Sequence, residues 1–389
     1  MFFRRFDRLH VFQLPSLLFV LFTISPSQAE ELSRIAPEDV GIDSEKLSDM
    51  SAWIRSENLD VRSLVLLRRG KLALEWYSAD VTRDHNHNLY SVTKSVVGLL
   101  AGIAVDQGKV PDAETTVGEL LPGAKGKPAG GVTLAQLLTM RSGLPVSRGN
   151  LPGGAERELF DRVNAAADRT SLILNDLDFA TEPGKAFAYN NIDPQLVASA
   201  IAAAAREPFS RFAEKNLFEP LGFQNAAWMF SDSTGQVPGG YGLRLRSIDL
   251  AKLGQLVLNQ GSWNGTRLIS SEWIEASTSD QTGTGYGYYW WLDRSRGVVG
   301  GKGVRGQRLE IVPALDLVFV VAAELPPARV APVTNRLLRD FVLPSVRASG
   351  KESLPENPEA ISRLEAELAE AARFRPASRE GLPGFRLPK

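Results

Sequence analysis

YSVTKSVVGLLAGIAV, residues 90–105, contains one charged side chain, Lys94. The run predicts a helix over residues 91–107 with apolar or small residues on every face, and such a helix is buried in a core. It therefore needs covering layers, and the rest of the chain offers them. VRSLVLLR (61–68) and LALEWYS (72–78) are short apolar runs joined across Arg69-Gly70-Lys71, the pattern of a β-hairpin. A second hairpin is predicted far along the chain, from 308–312 and 317–322, turning through Pro313-Ala314-Leu315-Asp316. Between the hairpins helical signals dominate, as at 194–206 and 247–260, with loops at 122–131 and 149–154. Strands near both ends with helices between them predict a mixed α/β (α+β) fold, in which one sheet is built from both ends of the chain. The sheet part is expected at about 30–115 and 285–349, and an inserted, mostly helical part at about 116–284. Residues 350–389 change character: 358–373 reads as one solvated helix and 381–389 as a tail.

Composition narrows the function. The chain has 389 residues, no cysteine and a formal net charge of −1. Iron–sulfur clusters, cysteine-ligated zinc and thiol catalysis are excluded. Charges of both signs are scattered, so there is no basic footprint for nucleic acid. Arg4, Arg5 and Arg8, a short apolar centre and the small-residue exit Ser27-Gln28-Ala29 predict a signal peptide over residues 1–29. Its apolar core is too short for a membrane span. The mature protein is thus expected to be soluble and periplasmic or secreted.

Lys94 is the anomaly in the central helix. Lysine is almost never buried without a partner, and the positive N-terminal end of a helix disfavours an ammonium. Both effects depress the pKa, which suits a lysine to act as a base near pH 7. Ser91 lies three residues earlier on the same helix face, within hydrogen-bond reach. A nucleophile beside its base is the pattern of covalent catalysis, and the unpaired N–H of Ser91 at the helix start can stabilise an oxyanion. The Ser-x-x-Lys spacing alone is weak, because 31 serines and 12 lysines in this chain make about one such match expected by chance. Its setting carries the weight. The loop PGKAFAYNN (183–191) then offers Tyr189 and Asn191 as candidates to relay the proton or hold the substrate.

Ser-x-x-Lys, a Tyr-x-Asn about a hundred residues later and a late glycine-rich strand together resemble the serine β-lactamase and penicillin-binding-protein superfamily. Within it the chain looks most like the class C β-lactamase-related hydrolases, which include esterases and 6-aminohexanoate-dimer hydrolases. LLTMRSGL (137–144), EPLGF (219–223), GGYGLRLRSIDLAKLGQLVLNQGSWNG (239–265) and GYGYYWW (285–291) follow in family order. The resemblance implies a β-lactamase/transpeptidase-like fold, its antiparallel sheet flanked by helices, and a secreted serine hydrolase cleaving a small ester or amide through an acyl-enzyme. It implies Ser91 as nucleophile, Lys94 as its base partner, and Tyr189 as a second base whose phenolate Lys94 favours. It further implies Asn191 as a ligand of substrate or Lys94, and Gly303 and Val304 as the segment whose Val304 N–H joins the oxyanion site. No metal or cofactor is implied. The Lys-Thr-Gly motif of β-lactamases falls on Gly301-Lys302-Gly303, so its lysine place holds glycine. Because one step along a strand reverses the side chain, Lys302 is not expected to replace the missing ammonium. That counts against the rival readings of β-lactamase and D,D-peptidase. A non-catalytic binding or sensor protein of the same fold is a rival of another class.

Four further features read as structural. GKGVRG (301–306) matches a G-x-G-x-x-G, but RLEIVP follows it, which is β-like rather than the helix a dinucleotide site requires. His85 and His87 have no third ligand nearby for zinc. Tyr286, Tyr288, Tyr289, Trp290 and Trp291 alternate across two faces if they form a strand, one face in the core and the other able to line an acyl pocket, and the core reading is favoured. Arg305 reads as a solvated loop charge.

Overall fold

The computed structural model describes residues 31–347 and 352–379. The predicted signal peptide and the tail at 381–389 lie outside the described residues. A central antiparallel sheet is formed by β1 (Val61–Arg68), β2 (Lys71–Tyr77), β3 (Trp291–Asp293), β4 (Val298–Lys302), β5 (Arg308–Val312) and β6 (Leu317–Ala323), in the order β2-β1-β6-β5-β4-β3. Both predicted hairpins are present, and β1 and β6 join them: Val65 pairs with Val320 and Leu66 with Phe319.

Side chains that alternate along these strands feed two separate cores. Val65, Leu67, Leu309, Ile311, Val318 and Val320 face one way, and Leu64, Leu66, Leu317, Phe319 and Val321 face the other. Both faces are covered, which is why the strands read as near-continuous apolar runs. Helix α1 (Ser44–Ser56) packs in the outer core. On the inner face lie α2 (Val92–Asp106), α3 (Ile192–Ala205) and α4 (Ser247–Leu258), close to the three predicted helices. The last described helix, α5 (Pro358–Ala371), is not merely solvated. It buries Ala360, places Leu364 and Ala371 in the outer core, and pairs Glu367 with Arg55 on α1. Arg379 then anchors the chain to Asp60 beside β1.

Two local features fix the surroundings of α2. A small antiparallel sheet of Asn86–Asn88, Leu243–Arg246 and Ala227–Trp228 holds the chain just before the helix, where the Leu89 N–H donates to the Leu243 carbonyl at 2.9 Å. Residues 285–290 form no strand, so the alternation does not arise. Tyr289 has φ 64°, and its N–H donates to the Leu138 and Gly287 carbonyls. The chain turns on itself there, so Tyr286, Tyr288, Tyr289 and Trp290 are all buried, and only Trp291 starts a strand. The turn is fastened to α2 by Ser95, whose hydroxyl donates to the Tyr289 carbonyl at 2.8 Å.

Helix α4 lies on the inner face of the sheet at Gly254, where an added Cβ would sit 2.4 Å from Val318 Cγ1 and 3.0 Å from Leu309 Cδ1. Alanine is the better helix former by about 1 kcal/mol, but overpacking costs about 1–3 kcal/mol. Gly254→Ala is therefore expected to lower the stability measured by urea unfolding. A more stable variant would mean that the helix lifts freely from the sheet.

Candidate active site

Ser91 is the N-cap of α2 and does not use its side chain as a cap. Tyr90 precedes it at φ 46° with its N–H on Asn88 Oδ1, a conformation unfavourable for a bulky residue that aims the start of the helix. No carbonyl among the described residues accepts from the Ser91 N–H.

Lys94 is 1% exposed. Its Nζ lies 3.3 Å from Ser91 Oγ, and it donates to Asn191 Oδ1 at 2.6 Å and to the Gly240 carbonyl at 2.8 Å. It also sits 4.9 Å from the centroid of the Tyr189 ring. Burial pushes the Lys94 amine down to about 7, with Asp193 pulling it back up. The three elements meeting here are the start of α2, the 189–191 loop leading into α3, and the Gly239-Gly240 segment. Glycine is required at both places in that segment. A Cβ on Gly239 would lie 1.9 Å from the Pro194 carbonyl oxygen, and one on Gly240 would lie 2.9 Å from Asn191 Oδ1.

Asn191 is held by Ser147, whose carbonyl accepts from its Nδ2 at 2.9 Å and from its N–H at 3.2 Å. The Tyr189 carbonyl accepts from Arg148 Nε at 3.2 Å, and its ring lies 5.4 Å from that of Trp291 and 6.2 Å, edge-on, from that of Tyr286. Burial pushes the Tyr189 phenol up to about 12, against a hydrogen bond from Ser91 and the charge of Arg148. Burial thus disfavours the phenolate form of Tyr189 and the charged form of Lys94.

Gly303 follows β4, and a Cβ there would lie 2.6 Å from the Leu89 carbonyl oxygen, so this loop runs against the residues before Ser91. The Gly303 N–H donates to the Gln307 carbonyl at 2.9 Å, and Arg308 Nη1 donates to the Gly303 carbonyl at 3.1 Å. Val304 opens a 3₁₀ turn, and its N–H has no carbonyl partner among the described residues. Gly301 faces α2, since its Cβ would be 3.1 Å from Ser95 Oγ and from Val92 Cγ1. Lys302 points to the other side, opposite Arg308, with its Nζ 5.6 Å from the centroid of the Trp291 ring. The reversal expected from the shifted glycine is what the strand displays.

The remaining candidates fall elsewhere. His87 Nε2 lies 3.1 Å from Ser63 Oγ, and burial pushes His85 down to about 4 and holds His87 well below its ordinary value, so both are neutral. Among the described residues no group of three or more metal-ligating side chains could hold an ion. Arg305 is half-exposed and paired with Glu324 at 3.4 Å, and Glu324 also accepts from the Tyr90 hydroxyl. Sequence reasoning missed the Gly240 carbonyl and the buried acid Asp193. The adjacent glycines 239 and 240 ahead of the alternating LRLR run at 243–246 were the available signal for the first. For the second it was an acid opening an otherwise uncharged helix.

Comparison with known proteins points the same way. The family model described as Beta-lactamase matches residues 61–343. The 6-aminohexanoate-dimer hydrolase of Paenarthrobacter ureafaciens is 26% identical over 294 residues, covering 70% of this chain and 74% of that protein. Among solved structures, a Bacillus anthracis protein provisionally named 6-aminohexanoate-dimer hydrolase superposes with TM-score 0.69 at 21% identity, over 83% of this chain and 90% of the other. A class C β-lactamase superposes with TM-score 0.63 at 16% identity, over 79% and 97%.

The dryness of Lys94 has a direct readout. Its ¹³Cε resonance, followed against pH, is expected to titrate with a midpoint at about 7. A midpoint near that of a free lysine, about 10.4, would mean that water reaches the amine.

Proposed function

The chain belongs to the β-lactamase family and is a serine hydrolase, and we propose that it cleaves a small ester or amide in two acyl-transfer steps on Ser91. The observation that carries this reading is the dry amine of Lys94, 3.3 Å from the Ser91 hydroxyl. At neutral pH a large share of that amine is uncharged, so it can take the hydroxyl proton as Ser91 Oγ attacks the carbonyl carbon. The negative charge that develops on the carbonyl oxygen is received by the free N–H groups of Ser91 and Val304. As the tetrahedral adduct collapses, the leaving group takes the proton of the Tyr189 phenol, and the Lys94 ammonium restores it. Water then attacks the acyl-serine as Lys94 takes its proton, and when the adduct collapses that proton passes to Ser91 Oγ, releasing the acid and restoring the serine. Asn191 holds Lys94 in place through its Oδ1.

Glycine at 301 supports neutral substrates over β-lactams, because no ammonium faces α2 from that strand. The basic, apolar and small-residue order of residues 1–29 supports a mature enzyme that works outside the cytoplasm.

Ser91→Ala is expected to abolish turnover of p-nitrophenyl esters, by roughly 10⁴-fold or more, with the far-UV spectrum unchanged. Incubation with a fluorophosphonate is expected to add one adduct to the wild type and none to this variant by intact mass. Activity or labelling retained in Ser91→Ala would remove the assignment. A wild type taking no adduct would instead favour the non-catalytic binding protein. Lys94→Arg should cost roughly 10²–10⁴-fold, since a guanidinium does not give up its proton. Hydrolysis of a chromogenic cephalosporin is expected to be far slower than that of the esters, and the reverse order would point to a β-lactamase.

A further inference from the structure

Helices α2 and α3 pack together, and each buries one ionisable side chain in its first turn: Lys94 on α2 and Asp193 on α3. Asp193 is completely buried, and nothing in the proposed reaction uses it. It lies two residues after Asn191, the residue that accepts from Lys94. Its Oδ1 accepts from the Ser142 hydroxyl at 2.5 Å, and its N–H donates to Asn190 Oδ1 at 2.8 Å, while Oδ2 has no hydrogen-bond partner. For this carboxylate, burial disfavours the charge by more than its hydrogen bonds restore. An acid in the first turn of a helix is favoured by the helix dipole, whereas Lys94 in the same place on α2 is not. The two charges compensate one another across the helix contact.

We infer that Asp193 is a positioning residue that acts through Lys94, its carboxylate being the counter-charge that decides how readily the buried ammonium gives up its proton. The inference rests on the reading of Lys94 as the base. Burial pushes Asp193 up to about 7, and hydrogen bonds from Ser142 and Asn190 and the charge of Lys94 pull it down. When Asp193 takes a proton, the neutral amine of Lys94 leaves no net charge in the core.

The groups around Asp193 leave Lys94 as its charged partner. Tyr286 and Tyr289 on the 285–290 turn are held far above their ordinary pKa by burial and by Asp193, so they remain neutral. Tyr189 is likewise neutral. On the 139–148 loop, Ser142 is uncharged, Arg141 is engaged by the Gly184 carbonyl, and Arg148 pairs with Glu156. Helix α3 carries no other charge, and the acid that ends α2, Asp106, accepts from the N–H of Ser270.

The test tracks the ¹³Cε midpoint of Lys94 and the pH dependence of fluorophosphonate labelling of Ser91 in the full chain. In Asp193→Asn, the loss of the counter-charge should lower the Lys94 midpoint by roughly one pH unit. The acid limb of the labelling rate should move down with it. Ser142→Ala removes a donor that stabilises the carboxylate charge, so it should move both readouts in the same direction by less, and it decides the matter if Asp193→Asn does not fold. An unchanged or higher midpoint in the folded variants, even with labelling weakened at every pH, would reduce Asp193 to a packing residue and overturn the inference. A wild type in which Ser91 takes no label would sink the hydrolase reading instead, and the resonance midpoints alone would then decide the role of Asp193.

Discussion

Keeping an amine out of water costs several kcal/mol unless something nearby carries the opposite charge. Lys94 receives only partial relief. Asn191 Oδ1 and the Gly240 carbonyl offer dipoles, and among the described residues the charge of Asp193 acts on it without a direct ion pair. Burial thus weakens the amine's hold on its proton, which is what a base at neutral pH requires. Much of the neighbourhood serves this balance. The glycines at 239 and 240 let the backbone come close enough for the carbonyl to reach Nζ, and Ser147 fixes the amide that faces it.

The sheet supplies the rigidity. Its inner face buries α2 and its outer face is closed by α1 and α5, so the start of α2 cannot drift without disturbing two cores. The loop at 303–307 is tied to the same frame through Arg308 and through Gln307 Nε2, which donates to the Ala323 carbonyl. The proposed nucleophile, base and oxyanion amides are thereby referenced to one sheet although they come from distant stretches of the chain.

How much can be read in the sequence depends on which physics leaves letters behind. The hairpins at β1–β2 and β5–β6 and the lone lysine of α2 are legible, because apolar periodicity and a misplaced charge are written in residue types. The side reversal at Gly301 and Lys302 is legible for the same reason. The Gly240 carbonyl is not, since every residue has one and only the fold selects which is used. Asp193 reads as an ordinary acidic residue opening a helix until burial is known. The neutral state of the Tyr189 phenol depends on solvent exclusion that no spacing encodes. The aromatic run at 286–290 misleads because a tyrosine at positive φ leaves no signature. The docking of α5 rests on three small or aliphatic residues in a strongly charged segment.

The pairing of β1 with β6 joins residues 61–68 to residues 317–323. While the ribosome is still adding residues short of 317, β1 has only β2 beside it, and its other edge is open. Contacts so distant in sequence also form slowly. The helix bearing Ser91 and Lys94 therefore emerges long before the strands that cover it. Every intermediate length of the growing polypeptide exposes that greasy surface, and a message cut short before the last two strands yields a sticky fragment rather than a weaker enzyme.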